Sequence, residues 1–193
     1  MIFVGGVPRS CTSILMMCLK NSGYYLGAES HLHGHKYKSE YQPLGLTIQW
    51  VLNNKIKITQ LEFTILQNVA TFTISEKVEA IKVFGFCFVL PLLKDHKILK
   101  DAKFIIMSRD VGDAVLSAKR VNEKKVVNEN SFSGLLKTWD FFTKDYQRIK
   151  LTYHDVIYKT NEVRDRLSTF LGREIDMSVI DPRMTYEASG NVN

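Results

Sequence analysis

Arg9, Ser10, Thr12 and Ser13 lie close together in VGGVPRSCTSILMMCL, between an apolar run and residues that are apolar at helical spacing. A guanidinium and several hydroxyls around a glycine turn, at a strand-to-helix junction, suit an anion. The first backbone N–H groups of a helix have no partner within it, and its dipole places positive charge at that end. A second group, Arg109, Asp110, Asp113 and Ser117, stands in SRDVGDAVLSAKR. Arg109 follows the apolar run FIIM, so it belongs at a strand's C-terminal end, where open α/β sheets bind ligands. Asp110, Asp113 and Ser117 share one helix face, and the two aspartates suit the helix start. The chemistry in view is that of a bound phosphate.

A third group, Glu29, His31, His33 and His35, falls in a polar segment. Alternating histidines could ligate a metal from one strand face, or belong to a solvated loop. No cysteine or carboxylate stands at a second ligand spacing, so the loop reading is preferred and no metal is expected. The first loop also differs from the ATPase form G-x-x-x-x-G-K-[ST]. Counting from Gly6, Cys11 takes the place of the second glycine and Thr12 that of the lysine, which speaks against an ordinary ATPase or kinase.

Alternating strands and helices must hold these groups. The pattern predicts a strand over residues 1–4, a helix ended by Gly23, helices over 44–53 and 58–74, and a strand over 80–84. It then predicts a helix over 89–100 with Pro91 in its first turn, a strand over 104–107, a helix from Asp110, and an amphipathic helix over 131–149. A short strand over 151–153 and a helix capped by Thr160 or Asn161 and ended by Gly172 follow, and the last dozen residues are expected to be partly disordered. The fold class is α/β: three layers, a central parallel sheet with helices on both faces.

Pro8-Arg9-Ser10-Cys11-Thr12-Ser13 resembles the 5′-phosphosulfate loop P-[KR]-S-G-T-[ST] of sulfotransferases that use 3′-phosphoadenosine 5′-phosphosulfate (PAPS), with Cys11 the one departure. A glycine in such a loop often needs positive φ, which a cysteine reaches at a cost. Arg109, Asp110, Asp113 and Ser117 resemble that family's 3′-phosphate motif R-[ND]-P-x-D-x-x-x-S, with Val111 in place of the proline. The run LTYHDVI and the later FLG are similar to its V-x-Y-E-D-L…FLG segment. The resemblance implies a P-loop-like sulfotransferase fold and a PAPS-dependent enzyme that sulfates an acceptor hydroxyl, on a carbohydrate or another small acceptor, with no metal required. It implies that Arg9, Ser10, Cys11, Thr12 and Ser13 hold the 5′-phosphosulfate, Arg109 and Ser117 the 3′-phosphate, and Tyr153 the adenine.

Arg9 and Lys82 are implied as cations at the reacting centre. Small-molecule types place a catalytic histidine in I-K-T-H, where this chain has Phe84. Tyrosylprotein and carbohydrate types use a glutamate after the first helix, and the interval from Arg9 suits Glu29, with His31 and His33 as alternatives for the base. Two other readings stay open, a weakly active or non-catalytic nucleotide-binding protein of the same fold and a divergent P-loop kinase.

Composition bounds the rest. The 193 residues, 45% hydrophobic, suffice for one core, and a single domain over 1–193 is expected. Lys and Arg (26) exceed Asp and Glu (20), which suits a polyanionic ligand. There is no dense basic tract with interleaved aromatics, so nucleic acid is not an expected partner. The apolar runs are too short to cross a bilayer and no leader pattern opens the chain, so a cytoplasmic protein is expected. Its three cysteines lack metal-ligand spacing and are read as thiols. Nothing in the pattern sets an oligomeric state.

Overall fold

A computed structural model describes residues 1–33, 40–53, 58–83, 85–121 and 129–181. In chain order the elements are β1 (Ile2–Gly6), α1 (Thr12–Asn21), β2 (Leu32–His33), β3 (Glu40–Tyr41), α2 (Gln42–Asn53), α3 (Gln60–Ser75) and β4 (Ala80–Lys82). There follow α4 (Phe86–Val89), β5 (Lys103–Ser108), α5 (Val111–Val121), α6 (Glu129–Thr143), β6 (Gln147–Thr152), α7 (Tyr153–Tyr158) and α8 (Thr160–Leu171).

Strands β4, β1, β5 and β6 form, in that order, one parallel sheet flanked by helices. The order makes β1 the point where connections reverse direction, the place where open α/β sheets form a ligand crevice beyond the strands' C-terminal ends. The apolar runs of β1 and β5 are buried because both faces are covered. Phe3 stacks between Phe86 of α4 (4.4 Å between centroids) and Phe104 of β5 (5.1 Å). Gly5, on the same face of β1, leaves room for Trp139 of α6, whose ring would lie 2.1 Å from any Cβ added there. Alternation turns Val4 to the other face, and α1 packs against β1 and β4.

Several sequence expectations need correction. The helix expected over 131–149 ends at Thr143, and residues 147–152 form β6 instead. Arg148 turns back to donate from Nη1 to the Asp140 carbonyl oxygen (2.9 Å), satisfying an end carbonyl of α6. Tyr146 packs on Phe104 at 5.1 Å, so a helix-like spacing continued across a real break. The helix expected over 89–100 is α4 followed by 3₁₀ turns at Leu90–Leu93 and Lys97–Leu99. Pro91 lacks the N–H that a continuing helix would use, and the His96 ring accepts from the Ile98 N–H to start the second turn. Tyr153 does not lie in a strand but opens α7, where the Thr152 hydroxyl accepts from the Asp155 N–H at 3.0 Å.

The polar segment expected to be loop contains the antiparallel pair β2 and β3, with Leu32 opposite Tyr41 and His33 opposite Glu40. Gly172 ends α8 in the left-handed region (φ 75), as its position foretold. Lys159, rather than Thr160 or Asn161, takes the cap position, because the Thr160 hydroxyl donates to the Val156 carbonyl. His35, Phe84 and the final dozen residues lie outside the described residues. No helix among the described residues is long and apolar enough to cross a membrane.

Candidate functional site

The loop between β1 and α1 holds its shape largely through its own bonds. Ser10 is buried and its hydroxyl donates to the Val7 carbonyl at 2.6 Å, while the Val7 N–H donates to the Met107 carbonyl of β5. Arg9 (φ 66) and Cys11 (φ 67) both adopt the left-handed conformation that non-glycine residues seldom take. Cys11 occupies the cap position of α1 without a side-chain capping bond, and no acidic residue stands in the first turn. The first-turn N–H groups around Thr12 and Ser13 are therefore left without a side-chain cap, as an anion site requires.

Segments about a hundred positions apart then close on this loop. The Arg9 side chain crosses to α5 and donates from Nε to the Ser117 hydroxyl at 3.1 Å. Arg109, the residue after β5, donates from Nη1 to the Arg9 carbonyl oxygen at 3.0 Å. Its guanidinium carbon lies 3.9 Å from the ring centroid of Tyr153, the residue after β6. Register explains the stack, since Ser108 pairs with Thr152 and the next residue of each strand leaves the sheet beside the other. The Arg109 Nε is buried and has no hydrogen-bond partner among the described residues, so a donor here lacks an acceptor. Asp110 starts α5 by accepting from the Asp113 N–H at 3.0 Å, which orients the helix that carries Ser117. Burial raises the Tyr153 phenol above its ordinary pKa, so the ring is neutral at physiological pH.

On the other side of β1, Lys82 ends β4 and is mostly buried. Its ammonium donates to the Ser13 hydroxyl at 2.8 Å and pairs with the Glu40 carboxylate of β3, also at 2.8 Å. The crevice thus has cations at both flanks of one phosphate-type loop.

No protein-family model matches the sequence, and no curated protein matches it. Solved structures do match. The sulfotransferase domain from the curacin biosynthetic pathway superimposes with a TM-score of 0.61 at 16% identity, over 99% of this chain and 80% of that one. Retinol dehydratase in complex with androsterone and the inactive cofactor PAP gives 0.50 at 14% identity, over 98% and 65%. This is the sulfotransferase fold. A sugar kinase from Janibacter sp. HTCC2649 also matches, with a TM-score of 0.50 at 13% identity over 93% and 97%, so the architecture is shared with a phosphoryl-transfer protein.

Of the residues singled out from the sequence, the structure brings together Arg9, Ser10, Cys11, Thr12, Ser13, Lys82, Arg109, Ser117 and Tyr153 around this crevice of the sulfotransferase fold. It does not bring Glu29 there. Glu29 is 65% exposed and pairs with Lys20 at 2.6 Å, and the helix rise places Lys20 about 12 Å along α1 from Thr12. His31 turns to Glu76, its Nδ1 lying 2.9 Å from a carboxylate oxygen that also accepts from the Tyr41 hydroxyl. Among the described residues no group of His, Cys, Asp and Glu could hold a metal ion. Glu40 was not a candidate from sequence, because only the β2–β3 pairing carries it from a polar segment to the loop.

Cys11 invites a direct test. Burial raises its thiol to a pKa of about 11 despite the neighbouring Arg109 and Arg9, so it is protonated and unreactive at neutral pH. Cys11→Gly is expected to change unfolding free energy by less than about 1 kcal/mol, because relief of the left-handed strain opposes the loss of chain stiffness and thiol packing. Cys11→Val, β-branched at the same φ, is expected to cost roughly 2 kcal/mol. Urea unfolding of both variants measures the difference. Equal midpoints for the two would show that the loop is not held in this conformation.

Proposed function

We propose that the protein is a PAPS-dependent sulfotransferase that moves a sulfuryl group to an acceptor hydroxyl of a carbohydrate or another small molecule. The observation that carries this reading is the convergence of Arg9, Arg109, Ser117 and Tyr153 beside the loop that precedes α1. A nucleotide with phosphates on both sides of its ribose needs two cationic pockets and a flat ring surface. The loop N–H groups, Arg9, Thr12 and Ser13 would take the 5′-phosphosulfate, with the backbone of Ser10 and Cys11 shaping the cradle. Arg109 and Ser117 would take the 3′-phosphate, and Tyr153 the adenine. Arg109 has the donor to spare, since its buried Nε lacks an acceptor among the described residues. Lys82 would meet the sulfonate and stabilise charge on the leaving oxygen.

Support from outside the chain is of two kinds. The fold is that of sulfotransferase domains, and one similar structure holds PAP, the product that PAPS leaves. The sugar kinase likeness favours the second reading, a phosphoryl-transfer enzyme. Against it, the loop offers Thr12 where a nucleoside triphosphate needs lysine.

Calorimetric titration with adenosine 3′,5′-bisphosphate (PAP), ADP and AMP separates the readings. PAP is expected to bind at least about tenfold more tightly than either, since one charge-assisted contact contributes roughly 1.5–3 kcal/mol. It should also raise the melting temperature most. Preference for ADP, or magnesium-dependent ATP turnover with a sugar, would favour the kinase reading. Binding of PAP with no sulfate transfer to any acceptor would leave a nucleotide-binding protein of this fold.

A further inference from the structure

We propose that Glu40 is the base that takes the acceptor's proton, and that Lys82 delivers it to the reacting centre. The inference rests on the sulfuryl-transfer reading and deepens it. A general base must stand within hydrogen-bond reach of the hydroxyl it deprotonates, directly or through one water. Glu40 reaches the anion loop through two linked contacts. From its Oε1 it is 2.8 Å to the Lys82 ammonium, and from there 2.8 Å to the Ser13 hydroxyl in the first turn of α1.

Burial and charge make this pairing more than a surface contact. Lys82 is 14% exposed, so its ammonium is largely removed from water, whereas Glu40 is 44% exposed and opens toward solvent, from which an acceptor arrives. A carboxylate and a sulfated phosphate repel each other at close range, and an ammonium between them removes that penalty. Lys82 is placed to face both anions, one at Ser13 and one at Glu40. Strand β3 fixes Glu40 from both sides, through its pairing with β2 and through α2, which follows at once.

The step balances. The acceptor O–H gives its proton to the Glu40 carboxylate as its oxygen forms the new bond to sulfur. The bond between sulfur and the 5′-phosphate oxygen breaks, and that oxygen leaves with the electron pair on adenosine 3′,5′-bisphosphate, stabilised by Lys82 and Arg9. Glu40 then releases the proton to water.

The test compares wild type, Glu40→Gln and Glu40→Asp, with PAPS as donor, glucosamine, 2-naphthol and 1-octanol as acceptors, and PAP binding measured in parallel. Glu40→Gln is expected to lower kcat by about a hundredfold or more while PAP affinity holds or rises, because Lys82 loses a competing anion. Glu40→Asp, one methylene shorter, is expected to recover about tenfold over the glutamine variant. A purely structural role would instead weaken PAP binding along with turnover. The proposal is overturned if Glu40→Gln keeps kcat within about threefold of wild type with PAP bound normally, or if Glu29→Gln alone removes turnover. If the wild type binds PAP and transfers no sulfate, Glu40 has no proton to take and the proposal falls. If the wild type does not bind PAP, the sulfuryl-transfer reading has failed first.

Discussion

Arg109→Ala is expected to lower the affinity for PAP by about a hundredfold and leave that for ADP within about twofold, so that discrimination by the 3′-phosphate disappears. The asymmetry follows from where the guanidinium lies. It stacks on Tyr153 at 3.9 Å and anchors to the Arg9 carbonyl at 3.0 Å, which fixes its plane, and its buried Nε has no acceptor among the described residues. A pre-oriented donor loses little entropy when an anion arrives, and a charge-assisted pair in a partly dry site is stronger than its solvent-exposed equivalent. Arg109→Lys keeps the charge but not the planar stack, and should recover only part of the loss. Truncation also removes the cation–π contact and the bond to the loop, a cost of about 1 kcal/mol in stability that thermal melting without ligand would register. Calorimetry with PAP and ADP on both variants is the check. Unchanged PAP affinity in Arg109→Ala would remove this residue from the 3′-phosphate site.

That Arg109 could be singled out from sequence depends on how local its signals are. An apolar run that ends in an arginine and is followed by helix-starting aspartates encodes both the strand and its C-terminal edge, so Arg109 and Ser117 could be placed before any contact was known. The same holds for the glycine turn before α1, where residue types fix a backbone path. The break between α6 and β6 had no such marker. Tyr146 and Ile149 continue the helical spacing of Trp139 and Phe142, and the helix end is marked by Arg148 reaching back to the Asp140 carbonyl, a contact that does not show in a hydrophobic pattern. Residues 89–100 misled in the opposite way, since a proline in the first turn suits a helix start as well as a 3₁₀ turn.

The contrast between Glu29 and Glu40 illustrates a limit of another kind. The interval from Arg9 to Glu29 is a distance along the chain, and α1 spends that interval carrying the chain away from the loop, to where Lys20 meets Glu29. Glu40 is farther along the chain yet nearer in contacts, because a two-residue antiparallel pair turns the polar segment back toward β4. Strands this short leave little alternation to detect. Carboxylates in loops must be ranked by what tertiary pairing brings to them, and the Lys82–Ser13 bond is the local evidence for that ranking.

Gly6→Ala is expected to destabilise the fold by at least about 4 kcal/mol, a large share of the roughly 5–15 kcal/mol that holds a typical domain together. Gly6 sits at φ 127, a region that L side chains rarely adopt, and a Cβ there would meet the Met107 carbonyl oxygen at 1.9 Å and its carbon at 2.7 Å. The obstacle is backbone of the neighbouring strand, so no rotamer change relieves it. Gly6 pairs with Met107 in register, and the next N–H, from Val7, donates to that same carbonyl. Relief requires β1 and β5 to part at their C-terminal ends, where the strands deliver the anion loop and Arg109. The substitution should therefore lower the urea midpoint and abolish nucleotide binding together. Gly134→Ala provides the contrast, since Gly134 lies exposed in α6 with nothing within 4 Å of an added Cβ. There the same methyl should stabilise by about 0.5–1 kcal/mol through helix propensity. Equal urea midpoints for the two alanine variants would mean that β1 and β5 do not approach each other at Gly6 as closely as this structure requires.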